Sequence, residues 1–416
     1  MRKYIVNLCK KNVFIRKVIR TIRYIVKKIR YNLFYKYIYK VNDNLVIFES
    51  YQGKNCACSP KELYLEMLNN KKYSKYKFIW CLKNEPDILK NDRTTIIKGK
   101  GKEYYKAFSK AKYWIVNSLI NEEITPKKNQ VFVQCWHGTP LKRLRYDIAY
   151  NGLLNDTKEL KWKNDIDARR YDYFISPSKF CTETFTSCFN LRNLHKENII
   201  IEKGYPRNVP LFTFDLKKVE KIKKDLKIKD NRKIILYAPT FRDNQHTSGV
   251  GYTYKLGIDL DKLKKELEKD YIILFRTHYF VSNSIDLKKY KGFIYDVSKY
   301  DDINDLYIIS DLLITDYSSV FFDYANLKRP VLFYMYDLDE YQNQLRDFYL
   351  DLDILPGPIV EKEEDLIYNI KNIDKVEKKY SKKYKEFNEK FNYLDDKDSS
   401  KRVLDVIFKE EKWKEY

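Results

Sequence analysis

Apolar side chains follow two different periods along this chain. Between Ile15 and Leu33 they recur at the three-and-four spacing of one helix face, through Val18, Ile19, Ile22, Ile25, Val26 and Ile29. From Leu45 onward they come as short β-rich runs between amphipathic or polar stretches. Leu45–Glu49, Lys77–Leu82, Thr94–Ile97, Tyr113–Val116, Val131–Gln134, Tyr173–Ser176 and Ile199–Glu202 form one series. Lys233–Tyr237, Tyr271–Phe275, Gly292–Tyr295, Leu312–Thr315 and Pro330–Tyr334 form a second. Strand-like runs with helical segments between them predict parallel sheets covered on both faces. A charged helical stretch near 214–229 separates the two series, which sets a domain boundary near Tyr205–Pro210. The tail after about residue 361 reads as polar helices with apolar spacing.

At 416 residues the chain suits two domains of this kind. Its net charge of +23 is uneven: residues 1–40 carry 13 Lys/Arg and no acid, leaving +10 for the other 376 residues. Arg16, Lys17, Arg20, Arg23, Lys27, Lys28 and Arg30 fall largely away from the apolar face. No run approaches the ~18 apolar residues of a membrane span. The charges also interrupt every candidate signal sequence. The segment predicts a basic amphipathic helix on an anionic membrane surface; the competing reading packs its apolar face on the body. Charge gathered in one segment argues against nucleic-acid binding. Seven scattered cysteines give no closed disulfide framework, so a reducing compartment is expected.

Candidate chemistry falls at strand ends. Val131-Phe132-Val133 runs into Gln134-Cys135-Trp136-His137-Gly138-Thr139-Pro140-Leu141-Lys142. Gly138 permits a close approach or a positive φ, and Pro140 suits the first position of a helix whose N–H groups would hold an anion. His278 closes Ile272–Phe275 through Arg276 and Thr277. Tyr237-Ala238-Pro239-Thr240-Phe241-Arg242-Asp243 leaves another strand, with Arg242 as a phosphate candidate. Thr315-Asp316-Tyr317-Ser318-Ser319 leads into a helix carrying Asp323. There Ser319 either caps or offers its hydroxyl to a phosphate, and Asp323 accepts from a ligand hydroxyl. Gly204-Tyr205-Pro206-Arg207-Asn208 sits at the boundary, where Arg207 could reach the cleft. Each turn alone also reads as a structural histidine or an ordinary cap. Their convergence at strand ends is what points to a ligand cleft between two doubly wound domains. No phosphate-binding P-loop or dinucleotide fingerprint occurs. The triplets Asp165-Ile166-Asp167, Asp337-Leu338-Asp339 and Asp351-Leu352-Asp353 have metal-motif spacing, which is commonplace among 58 acidic residues.

Taken together, QCWHGTPLK, GYPRN, YAPTFRD, RTH and TDYSSVFFDYA resemble, in order, the CDP-glycerol glycerophosphotransferase family of teichoic-acid primases and polymerases and related CDP-ribitol enzymes. The likeness covers about residues 45–395. Cys135 departs from it, standing where a threonine is expected. The resemblance implies an α/β, GT-B-like fold: two doubly wound Rossmann-like domains with the site in the cleft between them. The expected division is 1–40 as the membrane-associating segment, 41–207 as the acceptor-side domain, 208–395 as the CDP-alditol donor domain and 396–416 as a C-terminal helix. It also implies that His137, Gly138, Thr139, Pro140, Leu141, Arg207, Pro239, Thr240, Arg276, Thr277, His278, Ser318, Ser319 and Asp323 line the donor site.

The implied reaction moves glycerol phosphate, or a related alditol phosphate, from CDP-glycerol or CDP-ribitol to an acceptor hydroxyl, releasing CMP. His137 is expected as the base, with His278, Arg276 and the Ser318-Ser319 turn stabilising phosphoryl charge. No cofactor is required, although Mg²⁺ on the pyrophosphate is compatible with the scheme. The acceptor would be a polyprenyl-linked saccharide or polymer at the cytoplasmic face of the membrane, in teichoic acid or capsule-type synthesis. Rival readings are a GT-B nucleotide-sugar glycosyltransferase and a non-catalytic basic membrane- or nucleic-acid-binding protein.

Overall fold

The computed structural model describes residues 12–148, 157–240, 246–247, 251–252, 257–277, 286–339 and 347–409. Among these the first sheet has seven strands: β1 Asn42–Glu49, β2 Lys77–Cys81, β3 Thr94–Ile97, β4 Ala111–Val116, β5 Val131–Gln134, β6 Tyr173–Ser176 and β7 Ile200–Glu202. They run in the order β3-β2-β1-β4-β5-β6-β7, every ladder parallel. The second sheet comprises β8 Lys233–Ala238, β9 Tyr271–Phe275, β10 Ile294–Asp296, β11 Leu312–Thr315, β12 Val331–Tyr334 and β13 Ile359–Val360. Its order is β10-β9-β8-β11-β12-β13, again all parallel.

Period-2 geometry explains why these strands read as unbroken apolar runs. Val46 and Phe48 of β1 face one core while Ile47 between them faces another. In β8 the same alternation sends Leu236 to one core and Ile235 to the other. Both faces of each sheet are thereby buried, which is the GT-B arrangement of two doubly wound domains. Polar capping begins the helices: Ser178 Oγ accepts from Cys181 N at 3.4 Å before α2, Lys179–Cys188, and Asp302 accepts from Asn304 N at 3.0 Å before α3, Ile303–Ile309.

The N-terminal helix α1, Val13–Tyr31, starts at Asn12, whose Oδ1 accepts from Ile15 N at 3.1 Å. Its apolar stripe is uncovered. Phe14, Val18, Ile22, Ile25, Val26 and Ile29 are all exposed, Ile22 by 56%. The last turn is different, because Tyr31 and Tyr35 are buried with Phe108 and Trp114 in the first domain. Among the described residues no helix is long and apolar enough to cross a membrane.

The chain crosses between domains twice, at Gly204–Asn208 and again at Leu394–Ser399. Asp395 joins the crossings, accepting from Tyr205 N at 2.7 Å and Asn208 Nδ2 at 2.6 Å. Gly204 has φ +89, and a Cβ there would stand 2.3 Å from Leu394 O, so only glycine fits. After α5, Ile373–Phe391, the closing helix α6, Ser399–Ile407, packs Val403, Leu404 and Ile407 against the first-domain core.

Candidate active site

Strand order reverses between β1 and β4 in one sheet and between β8 and β11 in the other. Crevices open at the carboxyl ends of strands beside such reversals, and here the two face each other. The resulting cleft encloses about 480 Å³. The first domain lines it with His137, Gly138, Thr139, Pro140 and Leu141, and the second with Pro239, Thr240, Arg276, Thr277, Ser318 and Ser319. The two turns meet closely: a Cβ on Gly138 (φ +147) would lie 3.5 Å from Ser319 Oγ.

His137 is held by two neighbours, Asn117 and Trp136. Its Nδ1 lies 2.8 Å from the carbonyl oxygen of Asn117, at the end of β4. A carbonyl only accepts, so Nδ1 carries the proton and Nε2 keeps the lone pair for the cleft. The imidazole stacks on Trp136 at 4.3 Å. Trp136 itself sits at φ +51, a left-handed conformation costly for a bulky residue, steadied by its N–H to Gln134 Oε1 at 2.9 Å. His137 is open to the cleft yet lies deep between the domains. That desolvation, with the positive charge of Arg207 and Arg145, lowers its pKa to about 4 against the opposing pull of the Asn117 carbonyl. The imidazole is therefore neutral at pH 7, as a proton acceptor must be.

On the opposite wall, Asp316 ties the two turns of the second domain together. Its Oδ1 accepts from Thr240 N at 2.7 Å and from Tyr317 N at 2.6 Å. Arg276 lines the cleft while its Nη1 donates to the carbonyls of Val297 and Tyr300, at 3.0 and 2.8 Å. Ser319 precedes the short helix α4, Val320–Tyr324, and makes no side-chain cap. Its hydroxyl faces the cleft instead.

Three expectations need correction. No helix follows Pro140: residues 139–144 cross to the second domain, where Tyr349 N donates to Leu141 O at 2.9 Å and Arg143 N to Asp347 O at 2.9 Å. The turn is thus anchored by strand-like pairing, and its anion-holding helix start does not exist. Arg207 and Asp323 do not line the cleft. They form a buried ion pair at 2.9 Å behind it, and Arg207 Nη1 donates to the carbonyl of His137. Asp323 lies on the buried side of α4, where a guanidinium is the partner a carboxylate needs. His278 and Arg242 lie outside the described residues. Sequence reasoning overlooked Asn117, Trp136, Asp316 and Tyr317. Asn117 acts through its backbone and carried no signal, whereas Trp136 was adjacent to a residue already singled out.

Among the described residues no group of three or more His, Cys, Asp or Glu is placed to hold a metal ion. Asp167 is paired with Arg170, and Asp337 accepts from Tyr317 OH at 3.0 Å.

Residues 31–409 match the family described as CDP-Glycerol:Poly(glycerophosphate) glycerophosphotransferase. The chain belongs to that family. Among glycerophosphotransferase relatives it is 41% identical to a teichoic acid poly(glycerol phosphate) polymerase of Staphylococcus epidermidis, over 89% of this chain and 51% of the relative. The chain thus spans about half the length of that protein. It is 40% identical to the polymerase of the same description from Bacillus spizizenii, over 88% of this chain and 92% of the relative. A solved structure of the wall teichoic acid polymerase TagF is 40% identical, covers 95% of this chain and 97% of that one, and superposes with a TM-score of 0.84.

A base role for His137 would carry a kinetic signature. The acid limb of kcat/KM, which reports the free enzyme, is expected near pH 4. An anionic donor in the cleft favours the imidazolium, so the acid limb of kcat should lie at higher pH. Paired pH profiles check this, and a kcat limb at or below the kcat/KM limb would count against His137 as the titrating group.

Proposed function

We propose that this protein transfers glycerol phosphate from CDP-glycerol to a hydroxyl of a membrane-held, polyprenyl-linked acceptor, releasing CMP, in teichoic acid or capsule-type synthesis. The observation that carries the reading is His137, its Nδ1 held 2.8 Å from the Asn117 carbonyl, in one cleft with Ser318, Ser319, Thr240 and Arg276. The acceptor oxygen attacks the phosphorus bearing glycerol while its proton passes to His137 Nε2. The bond from that phosphorus to the bridging oxygen breaks, and CMP leaves with the electron pair. Arg276 and the hydroxyls of Thr240, Ser318 and Ser319 bind the phosphoryl oxygens as their charge shifts. The described cleft lining contains no carboxylate.

The family membership and the polymerase relatives support glycerol phosphate as the transferred group. Product analysis tests it: CMP and a lipid product heavier by one or more glycerol phosphates should appear from CDP-glycerol. Release of a nucleoside diphosphate from nucleotide sugars would favour a glycosyltransferase, and CDP-ribitol in the same assay separates the two alditols.

The address of the enzyme follows from α1. A helix of strong net positive charge with an uncovered apolar stripe suits insertion into an anionic bilayer on its cytoplasmic side. Because Tyr31 and Tyr35 belong to the core, the informative variant leaves the helix in place. Ile22→Gln with Ile25→Gln and Ile29→Gln should lower binding to anionic vesicles about tenfold or more, since each buried isoleucine contributes roughly 1.5–3 kcal/mol. Turnover of a short soluble acceptor should continue. Undiminished sedimentation with vesicles would remove α1 as the anchor.

A further inference from the structure

A second cavity, of about 830 Å³, separates α1 from the first domain. That volume is ample for a small charged ligand. Its α1 wall is basic: Lys17, Arg20, Tyr24 and Lys27 recur on one helix face, with Arg23 beside them. The body adds Lys100 and Lys163. Against these six cations stand three acids among the described lining residues, Glu122, Glu123 and Asp167. Glu122 lies 3.1 Å from Lys163, Glu123 3.6 Å from Lys27, and Asp167 is paired with Arg170. Lys100 is 3.7 Å from Glu49, buried behind it. Positive charge remains in excess, and a concave wall concentrates its field.

These cations do not flank the membrane stripe. Val18, Ile22, Ile25 and Ile29 occupy the opposite side of α1 and are exposed. Lys and Arg serving only phospholipid would sit at the border of that stripe, whereas Lys17, Arg20 and Lys27 line the cavity while staying exposed to solvent. Tyr24 stacks edge-on against Trp162 at 5.2 Å and fastens the helix over the cavity.

Gln52, Leu119 and Ile120 line the cavity on the side of the first domain. Tyr51, the neighbour of Gln52, brings its ring to 6.1 Å from that of His137. Tyr51 and Gln52 both adopt positive φ, +48 and +58, a strained pair of the sort found at functional sites. Tyr51 N donates to Asn117 Oδ1 at 2.8 Å, and the carbonyl of the same Asn117 orients His137.

We infer that this cavity is a subsite for the phosphodiester groups of the acceptor, a chain of alditol phosphates that runs from the membrane-facing helix toward His137. The inference rests on the glycerol phosphate transfer proposed above. Phosphates of the membrane lipids share this chemistry, so the test separates the two sources.

The test compares Arg20→Gln with Lys27→Gln and Lys100→Gln against a control of equal charge change on exposed α5, Lys379→Gln with Lys382→Gln and Lys385→Gln. A soluble oligomer of four glycerol phosphates is titrated calorimetrically without donor. Its Kd should rise roughly tenfold or more in the cavity variant and stay unchanged in the control. In turnover, the KM for a phosphate-bearing acceptor should rise while the donor KM and the KM for a phosphate-free acceptor hold. No oligomer binding to the native protein, an unchanged Kd in the cavity variant, or an equal loss in the control overturns the proposal. Displacement of the oligomer by an equal concentration of glycerophosphoserine, a phospholipid head group that is not a fragment of the polymer, assigns the cavity to phospholipid and also overturns the proposal. If CDP-glycerol is not turned over at all, the transfer reading fails, and the donor-free titration still decides the cavity.

Discussion

His137→Ala should lower kcat by about 10²-fold or more at saturating donor while the protein stays folded. The acceptor hydroxyl then has no fixed proton acceptor, and the cleft wall of Ser318, Ser319, Thr240 and Arg276 is untouched. The donor KM should therefore change little. Added imidazole should restore part of the rate, because the space vacated beside Trp136 admits a base of the same shape. Circular dichroism and the thermal midpoint establish that the fold survives. Turnover close to the native rate would show that the ring only fills space between Trp136 and the Asn117 carbonyl.

A second large effect is expected behind the cleft. Arg207→Ala leaves Asp323 charged, buried and unpaired, which should cost roughly 3–5 kcal/mol of stability. Replacing both partners with apolar residues of similar size, Arg207→Met with Asp323→Leu, should recover most of that loss, because no buried charge remains. Activity should not recover with it. The donor to the His137 carbonyl is still missing, and a base displaced by about 1 Å can lose on the order of 10²-fold in rate. Urea midpoints report the first effect and kcat the second. Full kcat in the stable double variant would make the ion pair a structural feature and nothing more.

Much of the fold was legible because both sheets are buried on two faces. Tyr271–Phe275 and Val131–Val133 are apolar from end to end, and a run of that kind has few other places to go. Ile359–Val360 escaped notice since a two-residue edge strand with Ile359 exposed leaves no period to detect. The candidate site was partly legible for a different reason. Strand-end turns bearing His137, Thr240, Arg276 and Ser319 mark a cleft by topology alone, without any knowledge of which turns face each other. Side-chain direction was not legible. Asp323 stands four residues after Ser319, a spacing that shares a face in an ideal helix, yet Ser319 precedes the helix and Asp323 turns inward to Arg207. The turn after His137 misled in the same way. Pro140 fits a helix start locally, but pairing with 347–349 in the other domain decides its path.

The hydrogen bond that fixes the tautomer of His137 ends on a main-chain atom one residue past an interior strand, β4. Side-chain replacement at position 117 would disturb the amide that accepts from Tyr51 and leave that carbonyl where it is. An alanine scan would therefore pass over the group that aims the base, reporting position 117 through its effect on the 51–52 turn. Only a change in the backbone itself, such as an ester in place of an amide or a shift of β4 against β5, would reach it. The aim of the base is thus a property of the sheet, and it should persist through wide variation in the residues around it.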